Sequence, residues 1–455
     1  MTAHARPPLR LALTGDSILQ RRLLSRADPA LRPLFDLVRG ADIGFTNLEV
    51  LANDYAGEPA LESGGSHFGA PAWVLDELTE AGFALFAAAT NHALDYGPTG
   101  LLRTIRALDA RGLSHAGIGR NLEDARRPVY HGHPNGTVAM LACASSFAKG
   151  QEASAQRPDM PGRPGLNPLH VETLHEITAE QLATLRAIAT GLGLEGQRLQ
   201  NIGMGFGFPP ASEDIFPFAG LDFCAAETVA LHTRPRERDM ADMARWVHEA
   251  RGLSDIVLVS IHAHEQGATK EDPAGFLQPF ARRMIDEGAD LVVGHGPHLL
   301  RGLELYRGRP IFYSLGNFIG QNELVPRLPA DSYDRFRADP SLTPGAVYRK
   351  RTNEDQNGFP ADPRFWESVL PILTYADGRL DRIEIHPVSL GLGEPRHLRG
   401  RPRLAEPEHG QAILERFAGL SRPFGIGLEI GGGMATVRLG KEGQGAALDP
   451  VKAEP

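Results

Sequence analysis

A chain of 455 residues, 42% hydrophobic and 23% charged, is long enough for one large α/β domain or two smaller ones around a sizeable core. Its 56 acidic and 47 basic residues give a net charge of -9 and are mixed along the sequence, which excludes a nucleic-acid stripe or polybasic membrane patch and leaves small-molecule or peptide partners. The two cysteines, Cys143 and Cys224, exclude a disulfide framework and a thiolate metal site, so any metal falls to histidine, carboxylate or amide.

The first residues contain only a five-residue apolar strand, too short for a signal sequence. No later run approaches the roughly 20 apolar residues of a membrane span, so a cytoplasmic protein is expected. From residue 9 to about 145 strands alternate with helices: strands over 9–14, 42–47, 83–89 and 137–144, helices near 71–81 and 98–111. Pro98 suits the first turn of the second helix, and Leu101, Leu102, Ile105 and Leu108 form its apolar stripe before Gly112.

Residues 146–225 break that rhythm with many prolines and glycines and one helix at 178–191, the pattern of a lid or substrate-shaping insertion. A helix at 237–250, a strand at 255–261, a helix at 275–287 and a strand at 290–294 restore it. Hairpins follow at 302–315, turning at Arg307-Gly308-Arg309, and at 366–387, turning at Asp377-Gly378, with 321–364 between them read as loop. A helix near 409–419 and a β pair across Gly431-Gly432-Gly433 close the fold. The expected division is a domain over 9–395, an extension over 396–440 that packs on it, and a disordered tail over 441–455.

Five short segments carry the chemistry, four of them where an apolar run stops, the place at which α/β sheets build sites. Thr14-Gly15-Asp16 offers a carboxylate for metal binding or base catalysis. Asn47 and Glu49, two apart on an extended strand, share a face, so one can ligate a metal while the other orients it. Asn91 is a hard ligand and His92 a general acid whose tautomer Asp95 can fix. His262 and His264 share a face, with Glu265 next to them, and suit zinc, manganese or iron. His295 and His298 flank a Gly296-Pro297 turn that can aim both rings into one space. Arg301 is a candidate clamp for phosphate or carboxylate, and Asn317 a supporting group at the end of a hairpin strand.

The order Thr14-Gly15-Asp16, Asn47-Leu48-Glu49, Thr90-Asn91-His92 with Asp95-Tyr96-Gly97, His262-Ala263-His264-Glu265, Gly294-His295-Gly296-Pro297-His298 and Tyr313-Ser314-Leu315-Gly316-Asn317-Phe318 resembles the bacterial CapA family of poly-γ-glutamate capsule-synthesis proteins. The resemblance implies an α/β fold of the calcineurin-like metallophosphoesterase type, two stacked mixed β-sheets flanked by helices. It implies metal-ligand positions at Asp16, Glu49, Asn91, His262, His295 and His298 and a protonating His92. The chain departs from the superfamily's Asp-x-His motif at Ile18, and offers Asn47 and Glu49 where a bridging aspartate is usual.

Three functions follow as expectations. The first is a hydrolase or transferase with one or two divalent ions, manganese, zinc or iron, acting on a phosphoester or a glutamyl or peptide amide in capsule-type metabolism. The second needs no metal: Asp16 and His295 exchange a proton beside a carbonyl, as in a peptide epimerase. The third is a scaffold for polymer biosynthesis or export, against which the lack of an anchor-like run weighs.

Overall fold

The structure, a computed structural model, describes residues 7–437 and 439, so the tail expected over 441–455 lies outside the described residues. Leu9–Ile18 is buried at nearly every position. A strand buried along its length belongs in a sheet covered on both faces. It pairs in parallel with Ile43–Leu48 and antiparallel with Glu367–Ala376. Around these three lies a ten-stranded mixed sheet that continues through Phe83–Ala87 to Ser114–Ala116 on one side and through Arg379–Ser389 to the Leu428–Gly431/Met434–Val437 hairpin on the other.

The second sheet has six strands, in the order Leu300–Tyr306, Arg309–Leu315, Leu291–His295, Ile256–His262, Gly136–Ala144, Val129–His133. Alternation decides what each of its faces meets. Val138, Met140, Ile256, Leu258, Leu291 and Val293 join Leu11, Leu13 and Phe45 in one core between the sheets. Ala139, Leu141, Val257, Val259 and Val292 face the other way. They pack on Met243 and Val247 of helix Glu237–Leu253 and on Phe280 and Met284 of helix Leu277–Asp286. Helices Arg32–Arg39 and Trp73–Ala81 add Phe35, Val38, Leu75 and Leu78 to the first core. The molecule is therefore a helix–sheet–sheet–helix sandwich of the calcineurin-like type.

The proline-rich stretch after residue 145 contains more structure than its composition promises. Strands Val171–Ile177, Phe216–Phe218, Leu221–Ala225 and Ala230–Pro235 form a separate four-stranded sheet, which runs ten residues past the expected end of the insertion. Helix Ala179–Gly191 starts at a capping box between Thr178 and Gln181, and helix Leu194–Gly203 follows it. Leu182, Ala189 and Phe216 form a small core of their own.

The expectation of loop over 321–364 requires correction. Helices Ala330–Arg335 and Pro344–Arg351 and 3₁₀ turns at Asn322–Leu324 and Phe359–Ala361 occupy it. Each is too short to display a helical period, yet Thr343 caps the second helix and Pro344 fits its first turn. Ion pairs from Arg396 to Asp355 and from Arg399 to Glu323 and Asp355 tie the segment to the following loop. Helix Pro407–Ser421 lays Ile413, Leu414 and Phe417 on the first core. Among the described residues no helix is long and apolar enough to cross a membrane.

Candidate active site

The parallel registers bring the five segments together. His262 lies directly opposite His295 on the neighbouring strand, and Asp16 opposite Asn47 on one side and Asn317 on the other. An irregularity in the pairing at Asp16/Ser17 bends the strand end, a device that re-aims a side chain. Gly15 is required there: a Cβ would sit 1.8 Å from the Gly316 carbonyl oxygen, whereas the Asp16 amide donates to that oxygen at 3.0 Å.

Asp16 is fully buried. Its Oδ1 accepts from Asn47 Nδ2 at 2.8 Å and its Oδ2 from the Gly296 amide at 3.2 Å. His298 Nδ1 lies 3.5 Å from Oδ2, and His262 and His295 Nδ1 each 3.9 Å from Oδ1. Burial by itself raises the carboxyl pKa, but the bond from His298 and the surrounding imidazoles overcome it and hold Asp16 well below the ordinary range. Glu49, equally buried, has the opposite balance. Desolvation, with smaller contributions from Asp16 and Asp95, pushes it well above its ordinary value, against an opposing contribution from His298. Neither of its oxygens has a hydrogen-bond partner among the described residues. Its nearest neighbours are His298 Nδ1 at 3.7 Å, His262 Nε2 at 3.8 Å and His92 Nε2 at 3.9 Å.

The imidazoles divide by environment. His262 accepts from Asn47 Nδ2 at Nδ1 (3.2 Å) and so donates from Nε2 to Asn91 Oδ1 (3.0 Å); burial lowers its pKa to about 3. His264 Nε2 stands 3.1 Å from His262 Nε2, and burial holds it well below the ordinary histidine value. His295 has neither ring nitrogen bonded, and burial lowers it to about 4. His298 moves the other way: burial opposes its charge, but Glu49, Asp16 and the bond to Asn317 Oδ1 at 2.9 Å raise it to about 9. Its backbone is left-handed, φ 62°, a conformation a non-glycine residue keeps only where its surroundings enforce it. Beside this cluster His92 Nδ1 contacts Asp95 Oδ2 at 2.7 Å, and Phe68 covers its ring at 4.2 Å.

Two expected site residues lie outside the cluster. Arg301 is buried and, instead of facing an open anion, donates to the carbonyls of Lys270 and Glu265 at 3.0 and 2.8 Å. Glu265 accepts from Ser145 and Ser146 at 2.8 and 2.7 Å and so fastens the strand end below the cluster. Residues without a motif complete the site. A cavity opens above His92, His298 and Asn317, walled by Phe68, Tyr348, Phe359 and Trp366, with Ile18 also in its lining. The isolated aromatics within a polar stretch, and the adjacent Gly64 and Gly65, were the available sequence signals.

A divalent cation fits this donor set. Glu49, His264 and His298 each place a ligand atom within 4.8 Å of the others. The unpartnered oxygens of Glu49 and Asn47 and the unprotonated ring nitrogen of His295 are buried acceptors of the kind that persist where an ion satisfies them. Comparison with known proteins agrees with this architecture: the sequence model described as bacterial capsule synthesis protein PGA_cap matches residues 10–322. The chain belongs to that family. Two uncharacterized proteins of Sinorhizobium fredii are 34% identical over 441 residues, 94% of this chain and 93% of theirs. The capsule biosynthesis protein CapA of Bacillus anthracis is 25% identical over 56% of this PGA_cap chain and 44% of its own. A probable polyglutamine synthesis accessory protein of Mycobacterium tuberculosis is 27% identical over 56% and 48%.

Proposed function

We propose that this PGA_cap protein is a metal-dependent hydrolase or transferase acting on a phosphoester or on a glutamyl or peptide amide, the second in keeping with the polymer named in its relatives. One observation carries the reading: the Glu49 carboxylate is buried without a hydrogen bond in a ring of histidines. Glu49, His264 and His298 would hold the ion, with Asp16, Asn91, His262 and His295 beside them. The ion would supply a Lewis acid and a water of lowered pKa.

The remaining work belongs to the chain. Asp95 accepts from His92 Nδ1, which fixes the ring so that Nε2 faces Glu49 and the cavity, the placement of a general acid for a leaving group. Phe68 keeps water from that ring. Asn47 bridges Asp16 and His262 and holds both to one orientation, as supporting hydrogen bonds do around metal ligands.

The test is the metal content of untagged protein purified without chelator, beside the Asp16→Ala and Glu49→Gln variants, followed by screening on p-nitrophenyl phosphate and γ-glutamyl amides. Stoichiometric metal in the wild type, lost in Glu49→Gln together with turnover, is the expected result. A second reading rests on Ile18, an apolar side chain in the cavity lining where the superfamily has a histidine, and on His295, whose two nitrogens are unbonded beside Asp16. On that reading the pair exchanges a proton with a peptide. Metal-free protein that incorporates deuterium from heavy water into a peptide would replace the hydrolase reading with this one.

A further inference from the structure

The cavity has a charge at its mouth that no part of the proposed chemistry uses. Of the charged residues lining it, Glu323 is paired with Arg399 and Arg396, and His92 and His298 are engaged at the base. The Arg351 side chain has no hydrogen bond or ion pair with any described residue. Its guanidinium rests over the rings of Phe336 and Tyr348, at 5.0 and 6.0 Å. Stacking of this kind orients the planar fork while leaving its donors free for a carboxylate or phosphate.

The distance to the reacting groups is set by two adjacent glycines. A Cβ on Gly64 would lie 2.6 Å from His92 Nε2, and one on Gly65 would lie 3.9 Å from Arg351 Nη2. Consecutive Cα atoms are about 3.8 Å apart, so the guanidinium stands within roughly 13 Å of His92 Nε2. At most, that span is about three to four extended residues. Between the two ends the walls are the aromatic faces of Tyr348, Phe359 and Trp366, with the neutral Asn357 and Thr352 among them.

We infer that Arg351 is a specificity-determining residue that binds an anionic group of the substrate, a carboxylate or a phosphate, a few residues' length from the bond that reacts. The inference rests on the proposed reading of the site and adds the charge of the ligand to it.

The experiment is calorimetric binding to the full-length protein of three probes: tri-γ-glutamate, the same peptide with its carboxylates converted to carboxamides, and phenyl phosphate. Wild type is compared with Arg351→Gln, Arg351→Lys and Arg349→Gln, the last an exposed neighbour that pairs with Glu354 away from the cavity. Wild type is expected to bind at least one anionic probe roughly tenfold or more tightly than the carboxamide. Arg351→Gln should abolish that preference, Arg351→Lys should keep part of it, and Arg349→Gln all of it. Which anion is preferred separates the carboxylate from the phosphate source. An unchanged preference in Arg351→Gln, or a wild type that binds neither anion, overturns the inference. Metal content, measured on the same samples, reports separately on the reading beneath it.

Discussion

Gly64 has little freedom beside the cavity. A methyl there would stand 2.1 Å from Asn91 Nδ2 and 2.6 Å from His92 Nε2, distances that force one side chain to move. Overpacking of this kind costs about 1–3 kcal/mol, and a shift of about 1 Å in an active group costs on the order of 100-fold in rate. Gly64→Ala is therefore expected to lose stability by that amount in urea titration and to lose most of its turnover. Unchanged activity would show that the turn does not press on the Asn91–His92 pair. At this scale Asp16, Glu49, Asn91, His262, His295 and His298 were legible as a group, because each ends an apolar run or follows one within a short turn, and the structure brings them together. Arg351, Tyr348 and Phe359 were not. They belong to a polar stretch with no period, and only the fold carries that stretch over the cavity.

Elements were legible in proportion to their length and regularity. The long strands of the two sheets and helix Glu237–Leu253 declared themselves through runs and stripes, whereas the short edge strands Ser114–Ala116 and Val129–His133 did not, and Pro344–Arg351 is two turns long and was hidden by its charges. The attachment of the long helix rests on a buried polar knot that the sequence did not suggest. Asp239, in its first turn, accepts from His170 Nδ1 at 2.7 Å and from Arg126 Nη2 at 3.1 Å, and Arg126 also reaches Asp242 at 2.5 Å. Burial opposes the Asp239 charge, but His170 and Arg126 outweigh it and lower its pKa from the ordinary 3.8. A carboxylate lowered in the folded state adds stability that is present above its unfolded pKa and is lost as pH falls through the folded value. Asp239→Asn should thus cost about 1–3 kcal/mol near neutrality. Its deficit against wild type should shrink as the pH drops below about 4. Urea titrations at a series of pH values measure this, and a deficit independent of pH would assign the effect to packing.

At the scale of the whole molecule the insertion is set apart by its own small core, while the two large sheets share another. Its connecting loop exposes Met204, Phe206 and Phe208, the last at 90%. Chymotrypsin acting on native protein is expected to cut there first, after Phe206 because Pro209 protects the bond after Phe208, and to leave the main thermal transition and the metal content unchanged. Loss of either on nicking would make the insertion part of the principal cooperative unit. The pairing of Asp16 with Asn317 reaches further than the site itself. The Gln20 amide bonds to Gln321 across a separation of 301 residues, and the flank of the first strand is completed only by Glu367–Ala376. Residues beyond 316 therefore supply the strands on one side of Leu9–Ile18, while Ile43–Leu48 pairs with its other side. Contacts so distant in sequence form slowly and late. Until residues 367–376 have been made, that flank is an open, apolar strand edge, a hazard of the kind chaperones relieve. The same order of assembly means that a chain cut before Asn317 lacks the strand beside Asp16, and with it one wall of the candidate site.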